Sequence, residues 1–334
     1  MRDARRLVEA LREPASAAGL PERDWTPLIA LARAESLIGS LAYRLQDTAL
    51  PAKVERILED ARRDGEQARR QALWEAEMAR RALAPLGVPV ILLKGTAYAA
   101  AGLSAGVGRS IGDLDIMVPR ENLDAVQEAL LGAGWEWVKE SAYDDFYYRQ
   151  WMHELPPLIH RERDRMIDVH HTILPLTHRR RPDAEAMVAD SVVLENGLRV
   201  LPPADMIVHS VAHLFADGDL AGGLRNLWDI DRMLREFGSD GFWQTLEERA
   251  KLHQLLPEVR RALRLASRIY GTPAGPLGGR ERASDRLFER RLLARNGWGQ
   301  TTRKPLRFGF YVRSHWLRMP PLMLARHLWT KARR

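Results

Sequence analysis

The chain has 334 residues, a formal net charge of +7 and no cysteine. The missing cysteine excludes disulfides, thiolate metal sites and a cysteine nucleophile and fits a reducing, cytoplasmic setting, while the length allows two or three packed units. The charge is confined: residues 303–334 carry nine Lys or Arg and no Asp or Glu, so of the +7 the rest of the chain holds −2, which speaks against a general nucleic-acid groove. The opening MRDARRLVEALREP lacks the apolar core of a signal peptide, and no apolar run approaches the roughly 18 residues of a membrane span, so a soluble protein is expected.

Residues 1–85 read as a helical region, with Leu7, Ala10 and Leu11, then Leu28, Ile29, Leu31, Ala32, Leu37 and Leu41, then Val54 to Ala79 recurring at three- and four-residue steps. The period changes at Gly87. VPVILLK (88–94) is a short buried-strand pattern, a helix is expected from about Gly95 to Leu103, and DLDIMV (113–118) is a second strand ended by Pro119. A helix should follow from Glu121 to Leu131, closed by Gly132 or Gly134. Strand signals recur at Trp135–Val138, Phe146–Trp151, Leu158–His160 and Met166–His171. The fold class read from this order is α+β: a mixed-sheet core over 86–201, a helical domain over 202–271, a linker at 272–282 and a basic helical tail at 283–334.

Asp113 and Asp115 stand two apart in a predicted strand, so both leave one face with α-carbons roughly 6 to 7 Å apart. At about 4 Å two such charges repel by about 4 kcal/mol at an effective dielectric of 20, an arrangement that calls for a cation. Mg²⁺, a hard ion that takes oxygen ligands and phosphates, is the natural candidate, with Mn²⁺ in its place as the alternative. The plainer reading is a pair of strand-end aspartates in a turn. Context argues against it: Lys94-Gly95-Thr96 opens a helix after the first strand, and Gly112 precedes Asp113, a layout suited to phosphate.

LLKGTAYAAAGLSAGVGRSIGDLDIMVP resembles the nucleotidyltransferase superfamily typified by DNA polymerase beta, and more closely an uncharacterised bacterial nucleotidyltransferase-like family with a KG…R…GDxDxLV core. LPPLIHRERDRMIDVHHTIL and LPPADMIVHSVAHLF…LRNLWDIDRML resemble that family's later strand and helical segment, so the resemblance spans roughly residues 85–235. It implies a nucleotidyltransferase-type core in which Asp113, Asp115 and Asp168 are the catalytic and metal-binding acids and Gly95 with Thr96 is the phosphate loop. Thr96 stands where the superfamily has Gly or Ser, sixteen residues separate it from Asp113, and His171 stands where the closer family often has Trp. The implied reaction moves a nucleoside monophosphate from an NTP to a hydroxyl acceptor, and the alternative is a non-catalytic or regulatory nucleotide-binding module acting through a protein partner.

Lys94, Arg109 and Gly112 complete the expected nucleotide site, and His170, two residues past Asp168, is a possible accessory. His209 and His213 have a metal-binding spacing, but core or helix-surface histidines are expected there; a metallohydrolase built on His170, His171, His209 and His213 is the lesser alternative. Arg225 and Asp229, also four apart, read as a helix ion pair, with a role in holding the helical domain against the cleft, or in touching substrate, as the alternative. The 303–334 tail alternates Arg with Trp, Phe, Leu and Met; a helix docked on the body is expected over peripheral membrane contact, because Pro320 and Pro321 interrupt it.

Overall fold

In a computed structural model, residues 4–139 and 142–318 are described. Helices α1 (Arg5–Arg12), α2 (Glu22–Ala34), α3 (Ile38–Arg44) and α4 (Ala52–Leu83) form because their apolar residues fall on one stripe and their arginines on the other. In α4 the stripe is largely alanine (Ala61, Ala72, Ala76, Ala79), which lets later elements lie close to its backbone.

Seven short strands follow: β1 (Ile91–Leu92), β2 (Leu114–Met117), β3 (Trp135–Trp137), β4 (Leu158–His160), β5 (Met166–His170), β6 (Val192–Val193) and β7 (Arg199–Val200). They form one mixed sheet in the order β3-β4-β5-β2-β1-β7-β6, so the α+β class holds. β2 and β5 run parallel at its centre with Asp115 opposite Asp168, and each has an antiparallel neighbour on its other side, β1 and β4. Interspersed are α5 (Lys94–Ala100), α6 (Leu123–Gly132), α7 (Ala142–Trp151) and α8 (Ala184–Ala189). Then come α9 (Pro203–Val211), which continues as a π-helical turn (Ala212–Asp217), α10 (Gly223–Phe237), α11 (Asp240–Leu252), α12 (Leu256–Tyr270), α13 (Asp285–Leu292) and α14 (Lys304–Arg318). One hydrophobic core runs from Leu7 in α1 through Ile116 in the sheet to Phe310 in α14.

Three details differ from the sequence reading. Phe146–Trp151 is helix, not strand: the aromatic run suggests β structure, but Asp145 pairs with Arg149 at 2.9 Å and Tyr147 packs on Trp151, both at helical spacing. Arg149 then reaches Asp124 and Gln127 on α6, fixing α7 in place. The 88–94 strand contracts to two residues, because Pro89 offers no backbone donor and Lys94 turns away with φ +49°. Asp113 lies just before β2 rather than within it.

The 272–282 stretch lies against the body, with Thr272 donating to Asp231 at 2.6 Å and Leu277 buried. The described part of the C-terminal tail docks: Phe310 packs edge-on against Phe288 of α13, and Arg313 donates to the Phe215 carbonyl at 2.9 Å. Residues 319–334, with the proline pair, lie outside the described residues. Among the described residues no helix is long and apolar enough to cross a membrane.

α3 touches the loop before β2 backbone to backbone. A Cβ on Gly39 would sit 2.3 Å from the Gly108 carbonyl oxygen, and Gly108 itself has φ +63°. Gly39→Ala is therefore expected to lower stability by about 2 kcal/mol, read as the shift in a urea unfolding curve, since neither backbone can retreat.

Candidate active site

The centre of the sheet brings the acids together. Because β2 and β5 are parallel with Asp115 opposite Asp168, and Met117 opposite His170, the side chains of Asp115, Asp168 and His170 share one face. Asp113, exposed at the mouth of β2, joins them, and one carboxylate oxygen from each of Asp113, Asp115 and Asp168 lies within 4.8 Å of the others. Asp115 is 3% exposed and His170 2%.

Asp115 is held by two donors. Lys94 Nζ donates to its Oδ1 at 2.6 Å and His170 Nε2 approaches the same oxygen at 2.9 Å, so Oδ2 takes no bond among the described residues. Burial pushes the Asp115 carboxyl up, but the Lys94 charge and the His170 contact override it and hold the group well below the usual carboxylate range. The Lys94 ammonium is lowered by burial and raised more strongly by Asp115, Asp113 and Glu154, a net upward shift. Its φ of +49° is a left-handed backbone in a residue that carries a side chain, and that turn points the ammonium at Asp115. Asp168 goes the other way: burial, then the charges of Asp115 and Glu154, raise it to about 6.

The remaining expected site residues divide. A Cβ on Gly112 would meet nothing within 4 Å, so no protein group crowds that position. Gly95 and Thr96 are buried instead, and a Cβ on Gly95 would lie 2.4 Å from Arg109 Nε: the glycine makes room for the arginine. Arg109 lies along Tyr98 and pairs with Asp229 of α10.

Arg225 and Asp229 are far more than a surface helix pair. Both are buried, and Arg225 Nε donates to Asp229 at 2.9 Å while its other nitrogens reach Ser40 Oγ at 2.7 Å and the Ala105 carbonyl at 3.2 Å. Ser40 Oγ in turn donates to the Val107 carbonyl at 3.1 Å. The loop that delivers Asp113 is thus bolted to α3 and α10 at once. Sequence reading had offered this tie only as an alternative, because spacing alone does not reveal burial.

His209 is buried on α9, its pKa lowered by burial and by nearby Lys94 and His170. Neither it nor His213 joins a group of potential metal ligands among the described residues, so the four-histidine constellation does not assemble. His171 is also buried and is lowered to about 4, by burial first and then by the Arg120 charge. It lines a cavity of about 520 Å³ with Arg120, Thr172, Arg180, Arg181 and Asp183, past the C-terminal ends of β2 and β5; none of the three acids lines it.

The sequence reading missed His153 and Glu154. Glu154 bridges to β5 through its backbone opposite His170, its carboxylate stands 3.4 Å from His170 Nδ1, and the His153 ring stacks on that of His170 with centroids 5.3 Å apart. The signal present was an adjacent His-Glu pair in MHELPP, overlooked between two assigned strands.

Compared with known families, residues 21–271 match one described as uncharacterised nucleotidyltransferase. No curated protein matches the chain.

Proposed function

The chain belongs to this uncharacterised nucleotidyltransferase family, and on that premise we propose that it transfers a nucleoside monophosphate from an NTP to a hydroxyl acceptor, with Mg²⁺ or Mn²⁺ held by Asp113, Asp115 and Asp168. The observation that carries this reading is the convergence of those three carboxylates, two from adjacent strands and Asp113 from the residue before β2. They suit a hard divalent ion: every donor is a carboxylate oxygen, Oδ2 of Asp115 takes no bond among the described residues, and the burial beside like charges that raises Asp168 is what a cation relieves. Such an ion supplies charge neutralisation for the triphosphate and for the departing pyrophosphate.

The chain's own groups do the rest. Lys94 balances the Asp115 charge and would meet phosphate oxygens beside it, and the uncrowded backbone of Gly112 leads into Asp113. Gly95, Thr96 and Arg109 hold the turn that carries Lys94, so their contribution to nucleotide binding is positioning. The acceptor oxygen bonds to the α-phosphorus, the bond from that phosphorus to pyrophosphate breaks, and the hydroxyl proton passes to the Asp168 carboxylate as base.

Isothermal titration of the full chain with a non-hydrolysable ATP or CTP analogue, with and without Mg²⁺, is the direct test. Mg²⁺-dependent binding is expected, and absence of binding under every condition would sink the reading. Pyrophosphate release with a hydroxyl acceptor then separates a transferase from a regulatory module, a second reading that the double engagement of Asp115 by Lys94 and His170 favours.

A pH dependence follows from Asp168. Its carboxyl is raised in the fold, so its ionisation lowers stability as pH rises from the unfolded value through about 6, and a metal ion must displace its proton below that point. Mn²⁺ affinity is expected to weaken by about tenfold per pH unit below about 6 and to level off above it. Asp168→Asn should weaken binding and flatten the profile; an unchanged slope in that variant would place the titration elsewhere.

A further inference from the structure

Beside the acids, and sharing one residue with their surroundings, lies a group of different chemistry: His153, Glu154 and His170 each offer a ligand atom within 4.8 Å of the others. His153 Nε2 is 3.7 Å and His170 Nδ1 3.4 Å from the same Glu154 oxygen, Oε2. Hydrogen bonds of this kind close to about 2.7–3.0 Å, whereas ligands at about 2.0–2.2 Å around one ion stand roughly 3.0–3.6 Å apart. The Nδ1 atoms of both histidines are buried and make no hydrogen bond.

His170 carries the decisive detail. Its Nε2 faces Asp115 Oδ1 at 2.9 Å, and a buried carboxylate there favours the proton on Nε2. Its Nδ1, buried and without a hydrogen bond, faces the Glu154 carboxylate across 3.4 Å. A histidine that gives one N–H to a carboxylate and offers its other nitrogen to a metal is the usual way such ligands are oriented.

We infer that His153, Glu154 and His170 form a second metal site, selective for a transition ion of the Zn²⁺ class and distinct from the all-oxygen site of Asp113, Asp115 and Asp168. Two imidazoles and one carboxylate suit Zn²⁺ and its neighbours over Mg²⁺, which takes oxygen donors. The ion ties the segment before β4 to β5 and, through His170, fixes the orientation of Asp115. This site stands whether or not the chain transfers nucleotides, because none of its ligands is one of the three acids.

The test is a Co²⁺ titration of the metal-stripped full chain in excess Mg²⁺, which keeps the oxygen site filled. One equivalent of Co²⁺ should give the strong visible absorption of low-coordinate nitrogen and oxygen ligation, displaced by Zn²⁺. That band should vanish in His153→Ala and in Glu154→Gln and persist in Asp113→Asn. Absence of the band in the wild type, or its survival in His153→Ala, overturns the proposal. Should either ligand variant fail to fold, nitrogen-detected NMR of the wild-type histidines decides: Zn²⁺ must shift His170 Nδ1 as a bound nitrogen, and unchanged shifts overturn the site.

Discussion

Asp113→Asn is expected to abolish Mg²⁺-dependent nucleotide binding and to lower any transfer rate by about a thousandfold, while the protein unfolds at the same urea concentration as wild type. The rate loss corresponds to the several kcal/mol of charge stabilisation that a metal-held phosphate provides. Stability is spared because Asp113 is exposed and close to two like charges, so neutralising it leaves no buried partner behind. Asp115→Asn should lose activity to the same degree and about 3 kcal/mol of stability as well, since Lys94 and His170 lose the buried charge they converge on. Parallel urea curves and binding isotherms check both. Equal stability losses in the two variants would mean that the acids are a structural cluster.

The second large effect lies away from the acids. Asp229 is 1% exposed and pairs with both Arg109 and Arg225. Asp229→Asn leaves two buried guanidinium groups facing an amide, and removing one partner of a buried pair costs about 3–5 kcal/mol. Nucleotide binding should weaken more steeply than stability at intermediate denaturant, because Arg225 also anchors Ala105 and Ser40 and so the loop that ends at Asp113. A variant that unfolds earlier but binds normally at low denaturant would show that the network supports the fold and not the site.

The convergence of the acids was legible in the sequence because Asp113 and Asp115 stand two apart and the resemblance supplied Asp168, although Asp113 joins them from the residue before β2 and not from the strand. The short β1 and the helical α7 were not, for opposite reasons. At β1 the chain turns at Lys94 with a backbone conformation that side-chain composition does not announce. At Phe146–Trp151 the aromatic propensity for strand lost to contacts at helical spacing, Asp145 with Arg149 and Tyr147 with Trp151, and to the tertiary hold of Arg149 on Asp124 and Gln127 of α6. Arg225 and Asp229 were recognised as a pair, but what they do depends on being buried between α3 and the loop before β2, and spacing carries no burial. His153 and Glu154 matter through contacts to β5, seventeen and sixteen residues from His170 in sequence, where no period connects them.

The parallel pairing of β2 and β5 also limits how the chain can change length. Insert one residue within β5 ahead of Asp168 and its carboxylate passes to the opposite side of the sheet; insert two and it returns to the correct side roughly 6 to 7 Å out of place. The turn between β4 and β5, residues 161–165, is where additions can be absorbed without moving either acid. Descendants of this sequence are therefore free to vary in the turns and helices around the sheet, and with them in what they recognise, but are held to a fixed count of residues along its two central strands.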